Sequence, residues 1–328
     1  SIRRQRQMCI RDSFTTLNLS AQEIHEIGLN EVSRIRNEME AVIKSVNFKG
    51  SFSDFLNFLR TDPQFYATTS KDLLKEASYI AKRIDAKLPT LFNKLPRLPY
   101  GVAPVPEDLA PKYTGGRYVG PAEGSKEPGY YWVNTYKLDV RPLYNLEALT
   151  LHEGVPGHHL QNSIASELDD LPEFRKDLYL SAFGEGWGLY SEYLGIEAGF
   201  YTDPYSNFGR LTYEMWRACR LVVDTGIHAM GWSRQRVINY LSDNTALPIH
   251  ECTTETDRYI AWPGQALSYK IGELKIKELR KFAEKELGEE FDVRNFHDTV
   301  LGSGSVPLNV LEDPVSYTHL TLPTNREV

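Results

Sequence analysis

The chain has 328 residues, 41% of them apolar, and no apolar run long enough to span a bilayer. This length supports one large hydrophobic core or two smaller ones. The net charge of -7 argues against a general nucleic-acid-binding protein. The three cysteines include no Cys-x-x-Cys pair, which argues against a disulfide framework and against a zinc site built on cysteine.

Both ends of the chain have a sequence that suggests a non-native origin. One choice of codons for residues 3–12, RRQRQMCIRD, has a reverse complement that translates as residues 315–324, VSYTHLTLPT. That nucleotide string also resembles a sequencing-library adapter. We therefore predict that residues 1–13 and 314–328 are adapter read-through. Residues 14–313 would then be a fragment of a longer protein, and its cellular compartment stays open.

In chain order, the first predicted native element is a long helix over residues 20–47, which has apolar residues at helical spacing and which Ser20 can cap. A short helix is predicted after Ser53, and a second long helix from about Ser70. Residues 95–129 are rich in proline and glycine. This composition is typical of irregular segments, and irregular segments of such length are often functional.

Residues 130–135, YYWVNT, have the aromatic and β-branched content of a strand. Helical spacing returns just after this strand. It is clearest over residues 208–230, 234–241 and 265–287, and no internal repeat is present. The predicted fold class is therefore mainly α, a large helical fold with a short β region.

The stretch HEGVPGHHLQ, residues 152–161, resembles the H-E-x-x-H zinc motif with altered spacing. In a straight helix, His158 would lie on a different face from His152, about 9 Å along the axis, and His159 about 10.5 Å along it. One zinc ion needs its nitrogen ligands at about 2.0–2.1 Å. GVPG can end one helix and start another, and Gly157 can adopt backbone angles that other residues avoid. We predict a bulge that returns His158 to His152.

A catalytic zinc ion usually has three protein ligands and one open position for water. The predicted third ligand is Glu185, in the stretch GEGWG, where small residues allow another helix to approach closely. Glu192 is its competitor, or else a partner that orients a ligand. Glu153 is the predicted general base for a water molecule whose pKa zinc lowers to about 7. The plainer alternative is a solvated helix surface with an ordinary carboxylate at position 185.

Four blocks resemble the bacterial domain-of-unknown-function 885 (DUF885) family over about residues 20–312. They are HEGVPGHHLQ, GEGWGLYSE, RACRLVVDTGIHAMGWSR and RYIAWPGQALSYKIGELKIKELR. The family resembles the mostly helical zincin-like metallopeptidases of the angiotensin-converting enzyme, thimet oligopeptidase and Taq carboxypeptidase group. The resemblance matches His152, His158 and Glu185 to the metal ligands and Glu153 to the base. The two extra residues before the second histidine leave the choice between His158 and His159 open.

The resemblance also implies further roles. An Arg-Tyr pair downstream supplies an oxyanion-binding tyrosine in the angiotensin-converting group, and Arg258-Tyr259 makes Tyr259 the match. Peptidases of this type add an extended peptide to a strand edge, which gives YYWVNT a substrate-binding role. A family member of full length would have a further helical half before this region. The weaker candidates for substrate binding are Tyr131, Asn134, His228, Gln265, Tyr269 and Arg220.

We therefore expect a zinc-dependent peptidase that hydrolyses peptide bonds, with Zn²⁺ as its cofactor and a peptide or small amide as its substrate. No nucleic-acid partner is expected. Two alternatives belong to other classes. One is a zinc hydrolase that acts on a non-peptide amide or ester. The other is a non-catalytic helical scaffold that retains a degenerate motif.

Overall fold

The computed structural model describes residues 2–122, 125–176 and 178–320, and this part of the chain is mainly helical, as predicted. The strands are β1 (Tyr100–Pro104), β2 (Gly116–Val119) and β3 (Gly129–Val133). The helices are α1 (Ile2–Thr15), α2 (Ala21–Ser45), α3 (Phe52–Thr61), α4 (Ser70–Asp85), α5 (Leu88–Leu91), α6 (Leu146–Glu153), α7 (His158–Ser166), α8 (Glu173–Lys176), α9 (Ser181–Glu197), α10 (Pro204–Met230), α11 (Arg234–Asn244), α12 (Ile249–Ala261), α13 (Ser268–Leu287), α14 (Val293–Leu301) and α15 (Glu312–Leu320).

Side-chain caps explain where the first helices of the predicted native part begin. Ser20 and Glu23 form a reciprocal capping box at the start of α2, which confirms the predicted cap. Ser51 rather than Ser53 caps α3, and Thr69 caps α4. Each cap gives a hydrogen-bond acceptor to a backbone N–H group that has no partner within its helix.

The small sheet has the order β1-β3-β2, with β1 parallel and β2 antiparallel to β3. Two of its strands lie within residues 95–129, which the composition predicted to be irregular. They are short outer strands, the positions where glycine and proline are tolerated. β3, which contains most of YYWVNT, is paired on both sides. The expectation that it offers an edge to a peptide is therefore corrected, because its backbone groups are already used by β1 and β2.

Glycines bring α9 and α13 into close contact. A Cβ atom at Gly186 would lie 2.5 Å from the Cα atom of Gly272, closer than real Cβ atoms approach. The helix backbones therefore meet directly at this crossing, which confirms the close approach predicted from GEGWG. The neighbouring Trp187 is fully buried in the core. This packing sets the position of α9 against α13, and with it the position of the backbone at residue 185.

The two ends predicted to be adapter read-through include helical residues, in α1 and α15. Residue 1 and residues 321–328 lie outside the described part of the chain. Helical geometry at the ends does not bear on the origin of their codons, so the read-through hypothesis stays a prediction. Among the described residues, no helix is long and apolar enough to cross a membrane.

Candidate metal centre

The altered motif is divided between two helices. Helix α6 ends at Glu153 and α7 begins at His158, so the predicted interruption lies at GVPG. A Cβ atom at Gly157 would lie 1.9 Å from the carbonyl oxygen of His152. Glycine is therefore required here by close backbone approach, and its φ of -75° is not in the left-handed region. The Trp187 indole N–H donates to the Pro156 carbonyl at 2.7 Å and ties the turn to α9.

The turn brings the three predicted ligands together. His152 Nε2 and His158 Nε2 lie 3.5 Å and 3.4 Å from the same Oε2 atom of Glu185. The candidate ligand atoms of all three residues lie within 4.8 Å of one another. Two atoms bound to one tetrahedral zinc ion at about 2.0–2.1 Å are themselves about 3.4 Å apart. The donor set and its spacing therefore fit a zinc ion.

Glu192 supports His152 from the other side of the ring. Its Oε1 lies 2.8 Å from His152 Nδ1, and Arg217 Nη2 lies 3.3 Å from the same oxygen. A carboxylate on Nδ1 leaves Nε2 to face the ligand cluster, the usual arrangement of a metal-binding histidine. Of the two predicted roles for Glu192, the geometry matches the orienting partner. Gly188 makes room, since its Cβ atom would lie 2.7 Å from the imidazole.

The charged groups of the cluster shift one another's pKa values. Burial lowers the pKa of His152, but contacts with Glu185 and Glu192 outweigh burial and raise that pKa to about 9. Burial raises the pKa of Glu185, but the contacts with His152 and His158 outweigh it and hold the pKa well below its usual value. The two histidines thus stabilise the ionised form of Glu185, as a bound cation would.

His159 lies outside the cluster although it follows His158 directly. Its Nε2 lies 3.0 Å from the Leu98 carbonyl oxygen and its Nδ1 lies 3.1 Å from the Tyr118 hydroxyl. Burial lowers the pKa of His159 to about 4. Of the two histidines left open by the sequence, the structure places His158 with the ligands and His159 against the residues beside β1 and β2.

The candidate base, Glu153, is held by the sheet. Its Oε2 accepts a hydrogen bond of 2.7 Å from the backbone N–H of Tyr118 in β2. Only 8% of Glu153 is exposed. Its charge also helps to raise the pKa of His152, so the carboxylate lies near the ligand cluster. Sequence reasoning did not find Tyr118, because a backbone donor leaves no residue-type signal.

A second residue that the sequence did not indicate is Tyr179. Its hydroxyl donates to Oε1 of Glu185 at 3.1 Å, on the carboxylate oxygen that does not face the histidines. Its ring packs on Gly184, where a Cβ atom would lie 2.5 Å away. The residue is nevertheless 49% exposed. Tyr179 therefore lies between a candidate ligand and the surface, in a segment whose spacing gave no functional signal.

Tyr259 lies deeper than the predicted role requires. It is 1% exposed, and its hydroxyl accepts hydrogen bonds from Trp216 Nε1 at 2.9 Å and Arg220 Nε at 2.8 Å. Tyr269 lies beside the candidate ligand His152. Its ring is roughly parallel to that of His152, with 6.4 Å between the centroids, and the Arg220 guanidinium lies 4.4 Å from its centroid.

The other predicted substrate-binding residues divide into two groups. Tyr131 and Asn134 are fully buried, and the Asn134 side-chain amide bonds four backbone groups. The structure thus assigns these two a structural role, which corrects the substrate-binding expectation. His228 Nε2 lies 2.9 Å from the Tyr259 carbonyl oxygen. Gln265 accepts a hydrogen bond from Arg258 at 2.8 Å and reaches the Tyr269 hydroxyl at 3.4 Å.

A family described as bacterial protein of unknown function, DUF885, matches residues 10–315. The chain belongs to this family. A solved structure from Colwellia psychrerythraea is 36% identical, with a TM-score of 0.94 over 97% of this chain and 55% of its own. A second, from Shewanella oneidensis, is 19% identical, with a TM-score of 0.79 over 95% of this chain and 58% of its own.

Each of these solved structures is described as a putative lipoprotein, the second as one of unknown function. The chain spans little more than half of the length of each. The second likeness supports the fold alone, because so few residues are identical. No protein with a curated description matches the sequence.

Proposed function

We propose that this chain carries the catalytic centre of a zinc-dependent peptidase. The observation that carries the proposal is the convergence of His152 Nε2, His158 Nε2 and a Glu185 oxygen within 4.8 Å. Two histidines and one glutamate are a recurrent ligand set of catalytic zinc, which keeps its fourth position for water or substrate. A structural site would be closed by a fourth protein ligand.

A zinc ion held by these residues would supply a Lewis acid and lower the pKa of water to about 7. The chain itself supplies the proton transfer. Glu153 is placed to take a proton from the attacking water and to deliver it to the leaving amine. Its hydrogen bond from the Tyr118 N–H holds one carboxylate oxygen and leaves the other for this work. Glu192 keeps the His152 ring in its orientation.

The outer edge of β2 supports a peptide as the substrate. β2 uses one edge to pair with β3, and the N–H of Tyr118 on its other edge reaches Glu153. An extended peptide along this outer edge would pair with backbone groups of β2 other than the Tyr118 N–H, which Glu153 already uses, and it would pass its backbone beside the candidate base. A non-peptide amide or ester would gain nothing from such an edge. The substrate-binding role expected of YYWVNT thus moves to the neighbouring strand.

The donor to the developing oxyanion is assigned to one of two tyrosines. The family resemblance points to Tyr259, whereas the geometry favours Tyr269. The ring of Tyr269 lies against the His152 ring, and its hydroxyl has one long contact, 3.4 Å from Gln265 Nε2. The Tyr259 hydroxyl accepts two short hydrogen bonds, and its own proton is directed at the Glu255 carboxylate, whose pKa this hydrogen bond helps to lower. A donor must lie within about 3 Å of the oxyanion to contribute.

The decisive experiment measures zinc per chain by elemental mass spectrometry, with digestion of a peptide mixture followed in parallel. We expect about one zinc ion per chain and peptide cleavage that a chelator abolishes. His158→Ala should lose both. His159→Ala is the matched control, since His159 faces Leu98 and Tyr118, and it should keep its zinc.

Three results would change the conclusion. A folded wild-type chain without zinc would favour a non-catalytic scaffold. Bound zinc with no peptide cleavage, but with turnover of simple amides or esters, would favour a non-peptide hydrolase. Loss of zinc in His159→Ala alone would move the second ligand by one residue.

A further inference from the structure

A group of arginines lies beside the candidate metal centre, on the side of α10 and α12. Arg217 and Arg220 come from α10, and Arg258 comes from α12. Arg217 is paired with Glu192, which in turn holds His152. The guanidinium groups of Arg220 and Arg258 have no role in holding the ligands, and the two groups share one carboxylate partner.

Arg220 and Arg258 share a single carboxylate oxygen. Arg220 Nη2 and Arg258 Nη2 each lie 3.0 Å from Oε2 of Glu255. Arg220 is 2% exposed, yet its Nη1 is buried with no hydrogen-bond partner among the described residues. The guanidinium carbon lies 4.1 Å from the centroid of the Trp216 ring, and an unsatisfied charged donor is costly to bury, so this group calls for an explanation.

Tyr269 connects this pair to the metal centre. Its ring centroid lies 4.4 Å from the Arg220 guanidinium carbon and 6.4 Å from the centroid of the His152 ring. Arg258 donates to Gln265, whose side-chain amide reaches the Tyr269 hydroxyl. The Arg258 side chain is 28% exposed, so a ligand can reach it. Arg220 lies behind it and is fully buried.

These distances suit one particular ligand. An extended peptide advances about 3.3–3.6 Å per residue, so its terminal carboxylate lies roughly 3–7 Å beyond a bond cleaved one or two residues from the end, and a guanidinium group that binds this carboxylate lies a few ångströms further. A guanidinium group offers a planar pair of donors that matches a carboxylate. The Arg220 guanidinium lies no further from the His152 ring than the sum of the two distances through Tyr269, and Arg258 contacts the same Glu255 oxygen as Arg220. A short C-terminal product is therefore a suitable length to bring its carboxylate to this pair.

We propose that Arg258, backed by Arg220, binds the C-terminal carboxylate of the substrate, so that the protein removes one or two residues from the end of a peptide. This inference rests on the proposed peptidase function and adds its substrate class. Arg258 touches the carboxylate. Arg220, which Glu255 and Tyr259 hold in place, supplies positive charge behind it.

The test uses the zinc-loaded chain and a short peptide in two forms, one with a free C-terminal carboxylate and one with a C-terminal amide. We expect kcat/KM for the free acid to exceed that for the amide by about 10- to 100-fold, the usual effect of a hydrogen bond to a charged group. Arg258→Gln should remove most of this preference, so that the ratio of kcat/KM for the free acid to that for the amide falls toward one. Arg258→Lys should restore part of it.

Arg234→Gln is the matched control, because Arg234 pairs with Asp257 on the surface and its side chain is 47% exposed. It should keep the preference for the free acid. Equal cleavage of acid and amide by the wild type would overturn the proposal, and so would an unchanged preference in Arg258→Gln. A peptide with a C-terminal amide and aspartate as its last residue carries a side-chain carboxylate but no terminal carboxylate. It therefore distinguishes a subsite for the chain end from a subsite for acidic side chains. Its cleavage at the rate of the free acid would assign the subsite to acidic side chains and overturn the chain-end assignment.

A binding measurement distinguishes failure of the carboxylate subsite from failure of the proposed peptidase function. If neither peptide is cleaved, calorimetry with an N-acetylated dipeptide in acid and amide forms tests the subsite directly. Binding of the acid alone, lost in Arg258→Gln, would keep the carboxylate subsite and reject peptide hydrolysis. Binding of neither form would overturn the subsite as well.

Discussion

The two sides of the candidate centre are built in different ways. On the ligand side, His152, Glu153 and His158 come from two consecutive short helices, and the turn between them sets their positions. On the arginine side, Arg220 and Tyr269 come from helices far apart in the sequence. The ligand side thus depends on local backbone geometry, and the arginine side depends on how helices pack. Changes on the ligand side should abolish function, and changes on the arginine side should tune it.

The largest effect is expected from Glu153→Gln. The amide keeps the shape of the side chain but cannot take a proton, so kcat should fall by about 10²–10⁴-fold while zinc stays bound. Steady-state kinetics and zinc content measured on one preparation check this. Glu76→Gln, an exposed carboxylate on α4, is the control and should change neither quantity. A Glu153→Gln variant with wild-type kcat would remove Glu153 from the mechanism.

Gly157→Ala tests the turn that forms the ligand side. Its Cβ atom would meet the His152 carbonyl oxygen at 1.9 Å, so we expect a loss of about 2–4 kcal/mol in the free energy of unfolding, together with weaker zinc binding. Denaturant unfolding measures the change. Gly120→Ala is the control, because its Cβ atom has only ordinary contacts at 3.8 Å or more. Equal stability of the two variants would show that the turn is not under this constraint.

A pair of tyrosine variants compares the arginine side with the family resemblance. We expect Tyr269→Phe to lower kcat by about 10²-fold with little change in KM, the effect of removing one oxyanion donor. Tyr259→Phe should act mainly on stability, because its hydroxyl holds Trp216 and Arg220. The reverse ranking of the two kcat values would return the catalytic role to Tyr259.

The smallest effect concerns Glu251, near the same arginines. Burial, with repulsion from Glu255, raises its pKa to about 7 in the folded state from an ordinary 4.5. Ionisation of Glu251 therefore does not destabilise the folded state below pH 4.5. The destabilisation grows between pH 4.5 and about pH 7 and is constant at higher pH. Glu251→Gln should raise the free energy of unfolding by roughly 1–2 kcal/mol at pH 8, discounted because the residue is partly exposed. Unfolding at pH 4 should show no gain.

Several features could be predicted because they depend on local chemistry. Ser20 begins α2 by satisfying nearby backbone groups, and the break at GVPG follows from residues that cannot continue a helix. The sequence favoured His158 as the second ligand but could not exclude His159. Their side chains leave α7 in different directions, and only the position of α9 shows which of them meets Glu185.

By itself, the sequence determined the mainly helical class, the interrupted motif and a set of residues suited to zinc, because helix propensity, helix breaking and ligand chemistry are properties of short stretches. Only the tertiary structure decided that β3 is the central strand, that Tyr131 and Asn134 are buried, and that Tyr118 and Tyr179 contact the site. It also decided that Arg220 and Arg258 meet at one carboxylate. Strand order, burial and contacts between distant helices depend on how the whole chain packs, and no local pattern specifies that packing.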